Sequence, residues 1–333
     1  MKICKKCILD ENFPGISFDE QDICCFCRSS QPSVDRARLQ NEYAEKFEML
    51  LQKKKGQGPY DVLMAYSGGK DSTYTLDLFR TKYNLKVLAL TFDNGFISPF
   101  AIKNIIKITD ALEVDHLFVR PNFPLLKKIF SIAAKQDLFP AKALERASSI
   151  CTCCIGFVKS ILLKTALEKG IPFIGFGWSP GQAPIQSSVM QSNPRLVAIT
   201  QKTFWPKLEQ IAQEDLSRFY PSTRDLSLPP ENFPINVHPL AFHPYDEEAI
   251  KAHIQEIGWQ DTPDTDPNSS NCLLNAFANK VHLDRLGFHP YAWEMAGIVR
   301  AGGISRQEAL TKITEPPNPE LVEMVREKLG LKG

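Results

Sequence analysis

The chain has 333 residues, 39 basic against 38 acidic, for a formal net charge of +1; this length suits one large domain with smaller appendages, and the balance lacks the basic excess of a dedicated nucleic-acid binder. No apolar stretch reaches the roughly 18 residues of a membrane helix, and the start, MKICKKCILDENFPG, lacks the apolar region of a signal peptide. The expected setting is cytoplasmic, where thiols stay reduced and nine cysteines read as metal ligands or reactive groups before disulfides.

In chain order, the first element is a pair of C-x-x-C knuckles, Cys4/Cys7 and Cys24/Cys27, separated by sixteen residues. That spacing is a zinc pattern, and four thiolates around one ion stabilise a segment too short to own a core. We expect a zinc ribbon over 1–35, with Cys25 a spare thiol. Residues 36–57 carry charges with apolar residues at helical spacing, a linker helix. The run YDVLMAY (60–66) then predicts a buried parallel strand, DSTYTLDLFRTKY (71–83) a helix, KVLALTFDNG (86–95) a second strand, PFAIKNIIKITDAL (99–112) a helix and DHLFVRP (115–121) a third strand. FPLLKKIFSIAAKQ and IGFVKSILLKTALEKG read as helices, IPFIGFGWSP (171–180) as a fourth strand and INVHPLAF (235–242) as a fifth. Residues 181–234, with many Pro, Ser and Gln, read as loop and short helices, and the tail as helical. This alternation predicts an α/β fold with a doubly wound parallel sheet at 58–245 and a helical region at 246–333.

Between the first strand and the first helix stands SGGKDS, residues 67–72. Glycines let backbone N–H groups approach an anion, a helix N-terminus adds partial positive charge, Lys70 can neutralise phosphate, and Ser67 and Ser72 can donate hydrogen bonds. Neither the Walker A spacing nor G-x-G-x-x-G is present. A second cysteine group, Cys151, Cys153 and Cys154 in ICTCCIGFVK, is joined downstream by Cys272 in SSNCLLN. Three thiolates there could hold one zinc or three irons of a cubane cluster, and Cys151 with Cys154 could instead be a redox pair. His238, His243 and His289 each precede proline and read as turns. Asp246, Glu247 and Glu248 read as an acidic helix start, and Arg300 and Arg306 as solvated helix ends.

S-G-G-K-D-S after a first strand resembles the PP-loop of the ATP pyrophosphatases, which are Rossmann-like enzymes of the adenine nucleotide alpha hydrolase type, and the resemblance covers roughly residues 58–260. It implies that the loop holds ATP with Mg²⁺ while an acceptor oxygen attacks the α-phosphorus, pyrophosphate leaves, and a nitrogen or sulfur nucleophile replaces the adenylated oxygen. On the matching positions, Ser67, Gly68, Gly69, Lys70, Asp71 and Ser72 would bind phosphates, and Asp93, Gly175 and Gly177 would lie near the adenosine. Trp178 and Gln182, bordering that site, are candidates for contact with the acceptor. Two branches of the superfamily compete. The N-terminal cysteines, and GW at 258–259 followed by ISRQEAL, resemble the N-acetyl sugar amidotransferases, which draw ammonia from a glutaminase partner. The stretch CTCCIGFVKSILLKTALEKGIPFIGFG, with HPYDEEAI ahead of Cys272, resembles the iron–sulfur tRNA thiolation enzymes. That likeness implies that Cys151, Cys154 and Cys272 hold a [4Fe–4S] cluster delivering sulfide. The second zinc finger of those enzymes is missing here, and the charge balance does not suit tRNA.

The expected function is therefore an ATP-dependent sulfurtransferase that adenylates a carbonyl or amide oxygen, its acceptor a small molecule rather than tRNA. The alternatives are an amidotransferase served by a glutaminase subunit, and a non-catalytic ATP sensor. The partners considered are the acceptor, a sulfide donor and a second copy of the chain.

Overall fold

The computed structural model describes residues 2–29, 34–182, 184–266 and 268–331. The end of the expected ribbon, 30–33, lies outside the described residues. The elements in chain order are α1 (Val34–Lys54), β1 (Val62–Ala65), α2 (Lys70–Asp77), β2 (Val87–Phe92), α3 (Pro99–Ala111), β3 (Asp115–Val119), α4 (Phe123–Lys135), α5 (Ser149–Lys169), β4 (Phe173–Phe176), β5 (Val189–Gln191), α6 (Pro194–Ala212), β6 (Ile235–Val237), α7 (Glu247–Glu256), α8 (Leu274–Leu286), α9 (Ala292–Arg300), α10 (Arg306–Thr314) and α11 (Pro319–Leu329), with a few shorter turns of helix between them.

The sheet runs β3-β2-β1-β4-β6-β5, parallel except for the edge strand β5. It is an α/β doubly wound sheet, as the alternation predicted. Strand residues alternate between two cores. Leu63, Leu88, Leu90, Phe92, Ile174 and Phe176 face a layer built from α4, α5, α6, α8 and α11. Val62, Met64, Val87, Ala89, Phe173, Ile235 and Val237 face a layer of α1, α2, α3 and α7. Both faces of the central strands are therefore covered, which is why they read as unbroken apolar runs. Successive strands step outward from β1 to β2 and β3 on one side, while β4 lies on its other side. The strand order reverses between β1 and β4, so a crevice opens at their carboxyl ends.

Three expectations change. Residues 181–234 contain the 19-residue helix α6 and the strand β5. Pro206 sits inside α6, where proline removes a helical N–H, but Trp205, Leu208 and Ala212 are buried on the adjoining face, and Asn193 caps the first turn by accepting from the N–H groups of Arg195 and Leu196. Tertiary packing outweighs local propensity there. Helix α5 begins at Ser149 and carries the cysteines within it. This 21-residue helix is also long and apolar enough to cross a membrane by length and composition, with a mean hydropathy of 1.7. In the fold it packs between the sheet and its neighbours α4 and α8, and Ile150, Cys153, Phe157, Leu162 and Ala166 are fully buried.

The N-terminal segment docks on the C-terminal helices. Phe13 stacks on Trp293 with ring centroids 5.7 Å apart and meets Phe288 edge-on, while Phe26 meets Trp293 edge-on at 5.0 Å. Arg306 donates to the carbonyls of Cys4 and Cys7 from Nε, at 3.2 and 2.8 Å, and to Cys4 again from Nη2. This arginine is a structural clamp, not a solvated helix end.

Candidate functional site

The S-G-G-K-D-S loop crosses from the end of β1 into the first turn of α2, at the reversal point of the sheet. Gly68 has φ +75°, and a Cβ there would lie 2.7 Å from Ile105 Cγ1 and 2.8 Å from the Ala101 carbonyl, so glycine is required by conformation and by space. Its own carbonyl accepts from Trp259 Nε1 at 2.9 Å. Ser67 and Ser72 hydroxyls are 3.0 Å apart, and Ser72 also donates to the Gly69 carbonyl. The closing side comes from the end of β4. A Cβ on Gly177 would fall 2.5 Å from Ser72 Cα and 2.7 Å from its nitrogen. Only a glycine lets the end of β4 approach the first turn of α2 this closely.

A cavity of about 240 Å³ opens beside the loop, walled by Ser67, Ser72, Phe92, Asn94, Gly177 and Trp178, with Cys154 and Cys272. Asn94, not the adjacent Asp93, faces this space. Asp93 accepts from the Gly95 N–H at 2.8 Å and pairs with Arg120 at 3.3 Å. Gly175 lies within β4, where the space beside its Cα is filled by the Phe79 ring.

The downstream cysteines meet here. Helix periodicity puts Cys151 and Cys154 on the same side of α5, and Ser148 caps that helix by accepting from the Cys151 N–H at 3.0 Å. Cys272 arrives on a bridge antiparallel to Ile97, held by the Ser98 N–H to the Asn271 carbonyl and the Leu273 N–H to the Phe96 carbonyl. Asn94 Nδ2 donates to Cys272 Sγ at 3.4 Å and to Cys154 Sγ at 3.7 Å. Burial pushes the Cys151 thiol up to about 12 and raises Cys154 and Cys272 as well, with mutual repulsion adding to Cys151 and Cys154. Three thiols, two of them reached by one Asn94 amide, are a donor set that a metal group fits. Cys153 points the other way, into the core.

Cys151 lines a second cavity of about 400 Å³, with Arg146, Trp178, Gln182, Tyr291 and Glu294. Ile155, Lys159 and Trp178 border both cavities. Lys159 sits 4.6 Å over one face of Trp178, and His238 stacks on the indole at 4.4 Å and 7°. Burial and the neighbouring Lys159 hold His238 down to about 3, which keeps it neutral. His243 is likewise structural, 2.7 Å from the Tyr83 hydroxyl. Two polar atoms in the wall, Thr152 Oγ1 and Asn279 Oδ1, are buried without a hydrogen-bond partner, and Asn279 is only 2 % exposed. Such orphaned atoms are costly unless a ligand or water meets them. Glu294 accepts from Ser179 Oγ at 2.7 Å and Gln182 Nε2 at 3.1 Å, and burial, aided by Asp71, pushes it up to about 7. Neither Glu294 nor Asn279 was marked in the sequence, because no motif surrounds them.

The N-terminal thiols form a separate centre. Cys4, Cys7, Cys24 and Cys27 are all buried, with ligand atoms within 4.8 Å of one another. Cys4 to Cys27 is 3.9 Å and Cys7 to Cys24 is 3.7 Å, close to the spacing of four thiolates on one tetrahedral ion. The N–H groups of Cys7 and Cys24 point at Cys4 Sγ, at 3.4 and 3.3 Å. Burial opposes its charge, yet these and the Lys6 N–H prevail and bring it to about 7. The donor set fits a metal ion.

No family model matches the chain. An uncharacterized protein of Methanocaldococcus jannaschii is 23% identical over 321 residues, 95% of this chain and 94% of that protein. Among solved structures, a U34-tRNA thiolase, NcsA, from Methanococcus maripaludis with its [4Fe–4S] cluster aligns over 100% of this chain and 99% of its own, at 16% identity and a TM-score of 0.37. A predicted subunit of a tRNA methyltransferase from M. jannaschii aligns over 70% of this chain and 91% of its own, at 13% identity and a TM-score of 0.33.

Proposed function

We propose that this protein is an ATP-dependent PP-loop transferase that adenylates a carbonyl or amide oxygen and replaces it with sulfur. The observation that carries the reading is the single cavity in which Ser67, Ser72 and Gly177 face Cys154 and Cys272. ATP would lie with its phosphates on residues 67–72 and its adenosine toward Gly177 and Asn94, with Asp93 and Gly175 behind them at the strand ends. Mg²⁺ would accompany the phosphates. The acceptor would occupy the adjoining cavity against Trp178, Gln182 and Glu294. Its oxygen attacks the α-phosphorus, the bond to the leaving phosphate breaks, and pyrophosphate departs toward Lys70. AMP is then a far better leaving group than the original oxygen, and it carries that oxygen away when sulfur adds to the carbon.

Cys151, Cys154 and Cys272 would hold a [4Fe–4S] cluster with one iron left open. When bound, such a cluster supplies the sulfur nucleophile. Asn94 would orient two of its ligands, and Trp178 with Lys159 would stand where the two cavities adjoin and the acceptor meets the nucleotide. The N-terminal thiols would hold Zn²⁺ in a structural role. A small acceptor suits the bounded cavity of about 400 Å³, and a cytoplasmic setting suits reduced thiols.

The test is anaerobic purification with iron, sulfide and zinc analysis, comparing wild type with Cys151→Ala and Cys272→Ala. About four irons and one zinc per chain, with iron lost in both variants, is the expected result. Zinc alone after attempted cluster reconstitution overturns sulfur transfer and leaves ammonia from a glutaminase partner as the nucleophile. ATP that is bound but never cleaved to AMP and pyrophosphate would indicate a sensor.

A further inference from the structure

A third cavity, of about 460 Å³, lies beside the loop, walled by Lys70, Glu247 and Lys312, with the carboxylates of Asp71, Asp261 and Asp266 also in its wall. Side-chain oxygens of Ser270 and Glu247 meet the donor groups of this cavity. Ser270 Oγ accepts the Lys70 backbone N–H at 3.1 Å, at the opening turn of α2. The Glu247 carboxylate lies between two ammonium groups, 3.4 Å from Lys70 Nζ and 2.9 and 3.0 Å from Lys312 Nζ. Burial works against the charge of Glu247, and the two lysines outweigh it and hold the carboxyl below its usual range. Tyr245 completes the arrangement, accepting from Lys70 Nζ at 3.1 Å and donating to Asp71 at 3.2 Å. Lys312 comes from α10, 240 residues beyond the end of the loop (312 − 72) and outside the stretch that carries the PP-loop resemblance.

We propose that this cavity seats the pyrophosphate half of the nucleotide, that Lys312 is its second cation beside Lys70, and that Glu247 is a resident stand-in for a phosphate which the nucleotide displaces. The proposal rests on the reading that residues 67–72 bind the phosphates of ATP. A carboxylate offers two oxygens and one negative charge, whereas the β- and γ-phosphates offer several oxygens and more charge, so they outcompete it for two lysines. Glu247 stands in the first turn of α7 with its side chain 24% exposed, and rotation toward solvent frees the lysines. Its return after α-phosphoryl transfer competes with the released pyrophosphate and promotes product exit. AMP, which lacks the β- and γ-groups, does not reach Lys312.

The test is calorimetric titration of the full-length protein with inorganic pyrophosphate, ATP and AMP, with and without Mg²⁺. Lys312→Ala is expected to weaken pyrophosphate and ATP by about tenfold or more, as for a lost charge-assisted contact of ~1.5–3 kcal/mol, and to leave AMP unchanged. Lys312→Arg should retain most of the affinity. Glu247→Gln removes the competitor and should tighten pyrophosphate severalfold. That sign separates the stand-in from a purely structural ion pair, whose loss would leave pyrophosphate affinity unchanged or reduce it. Unchanged affinity in Lys312→Ala, or weaker or unchanged affinity in Glu247→Gln, overturns the proposal. If Lys312→Ala does not fold, Glu247→Gln and Lys312→Arg decide. Lys70→Ala marks the other failure: if it weakens ATP while Lys312→Ala does not, the loop reading stands and this one falls. If wild type binds neither ATP nor pyrophosphate, both fall.

Discussion

Glu294 offers a measurement that needs no substrate. Its carboxyl is pushed from 4.5 up to about 7, first by burial and then by Asp71, against the opposing hydrogen bonds of Ser179 and Gln182 and the charge of Lys70. Between pH 4.5 and 7 the folded protein therefore holds a proton that the unfolded chain has released. Folding stability contributed by the protonated carboxyl is full below pH 4.5 and lost as the pH rises through 7. The interval, at about 1.4 kcal/mol per pH unit, amounts to about 3 kcal/mol. Glu294→Gln fixes a neutral, hydrogen-bonding group of the same shape, and it should remove that dependence. Urea denaturation of both proteins from pH 4.5 to 8 reads the difference directly, since the other titrating groups are common to both. The stability of the variant relative to wild type should rise by up to about 3 kcal/mol across the window and level off above pH 7.5. A difference that stays flat with pH would refute a Glu294 carboxyl held protonated by its surroundings.

Further outcomes follow from the same geometry. Gly177→Ala places a methyl 2.5 Å from Ser72 Cα; the strand end or the loop must move, and ATP affinity measured by calorimetry should fall by about tenfold or more while the far-ultraviolet circular dichroism is retained. Trp259→Phe removes the donor to the Gly68 carbonyl and should cost ~1–3 kcal/mol in urea unfolding. Phe157→Ala empties a fully buried site between Phe92, Trp205 and Phe219, for a loss of ~3–5 kcal/mol. Cys24→Ser should abolish metal binding at the N-terminal thiols, and because Phe13 and Phe26 pack on Trp293, the change should appear in tryptophan emission as well as in metal content.

The central strands β1, β2 and β4 were legible because burial on both faces writes them as uninterrupted apolar runs, and the loop because glycines and lysine at the β1–α2 junction leave few other uses. Helix α6 was not legible. Its prolines and glutamines carry the local signature of a loop, and only the buried stripe of Trp205, Leu208 and Ala212 against α4 and α5 overrides it. The expected helix began after the cysteines of α5, because their spacing does not distinguish a loop from a first helical turn capped by Ser148.

The cavity walls were still harder to read, for a reason that concerns how such sites are built. A phosphate loop is a contiguous motif because backbone N–H groups must converge within a few residues. An acceptor pocket has no such constraint. The cavity proposed to hold the acceptor draws Trp178 and Gln182 from the loop after β4, Asn279 from α8, and Tyr291 and Glu294 from the start of α9, and the cavity beside Lys70 takes Lys312 from α10. Those C-terminal helices are in turn fixed by the N-terminal ribbon, through Phe13 on Trp293 and Arg306 on the carbonyls of Cys4 and Cys7. The N-terminal thiols are parts of one packed cluster with Tyr291 and Trp293 of the proposed acceptor cavity's wall. Loss of the N-terminal ion should therefore act on the acceptor cavity through α9 before it acts on the sheet, and ATP affinity at the loop should outlast the integrity of the Trp293 environment as the ion is chelated.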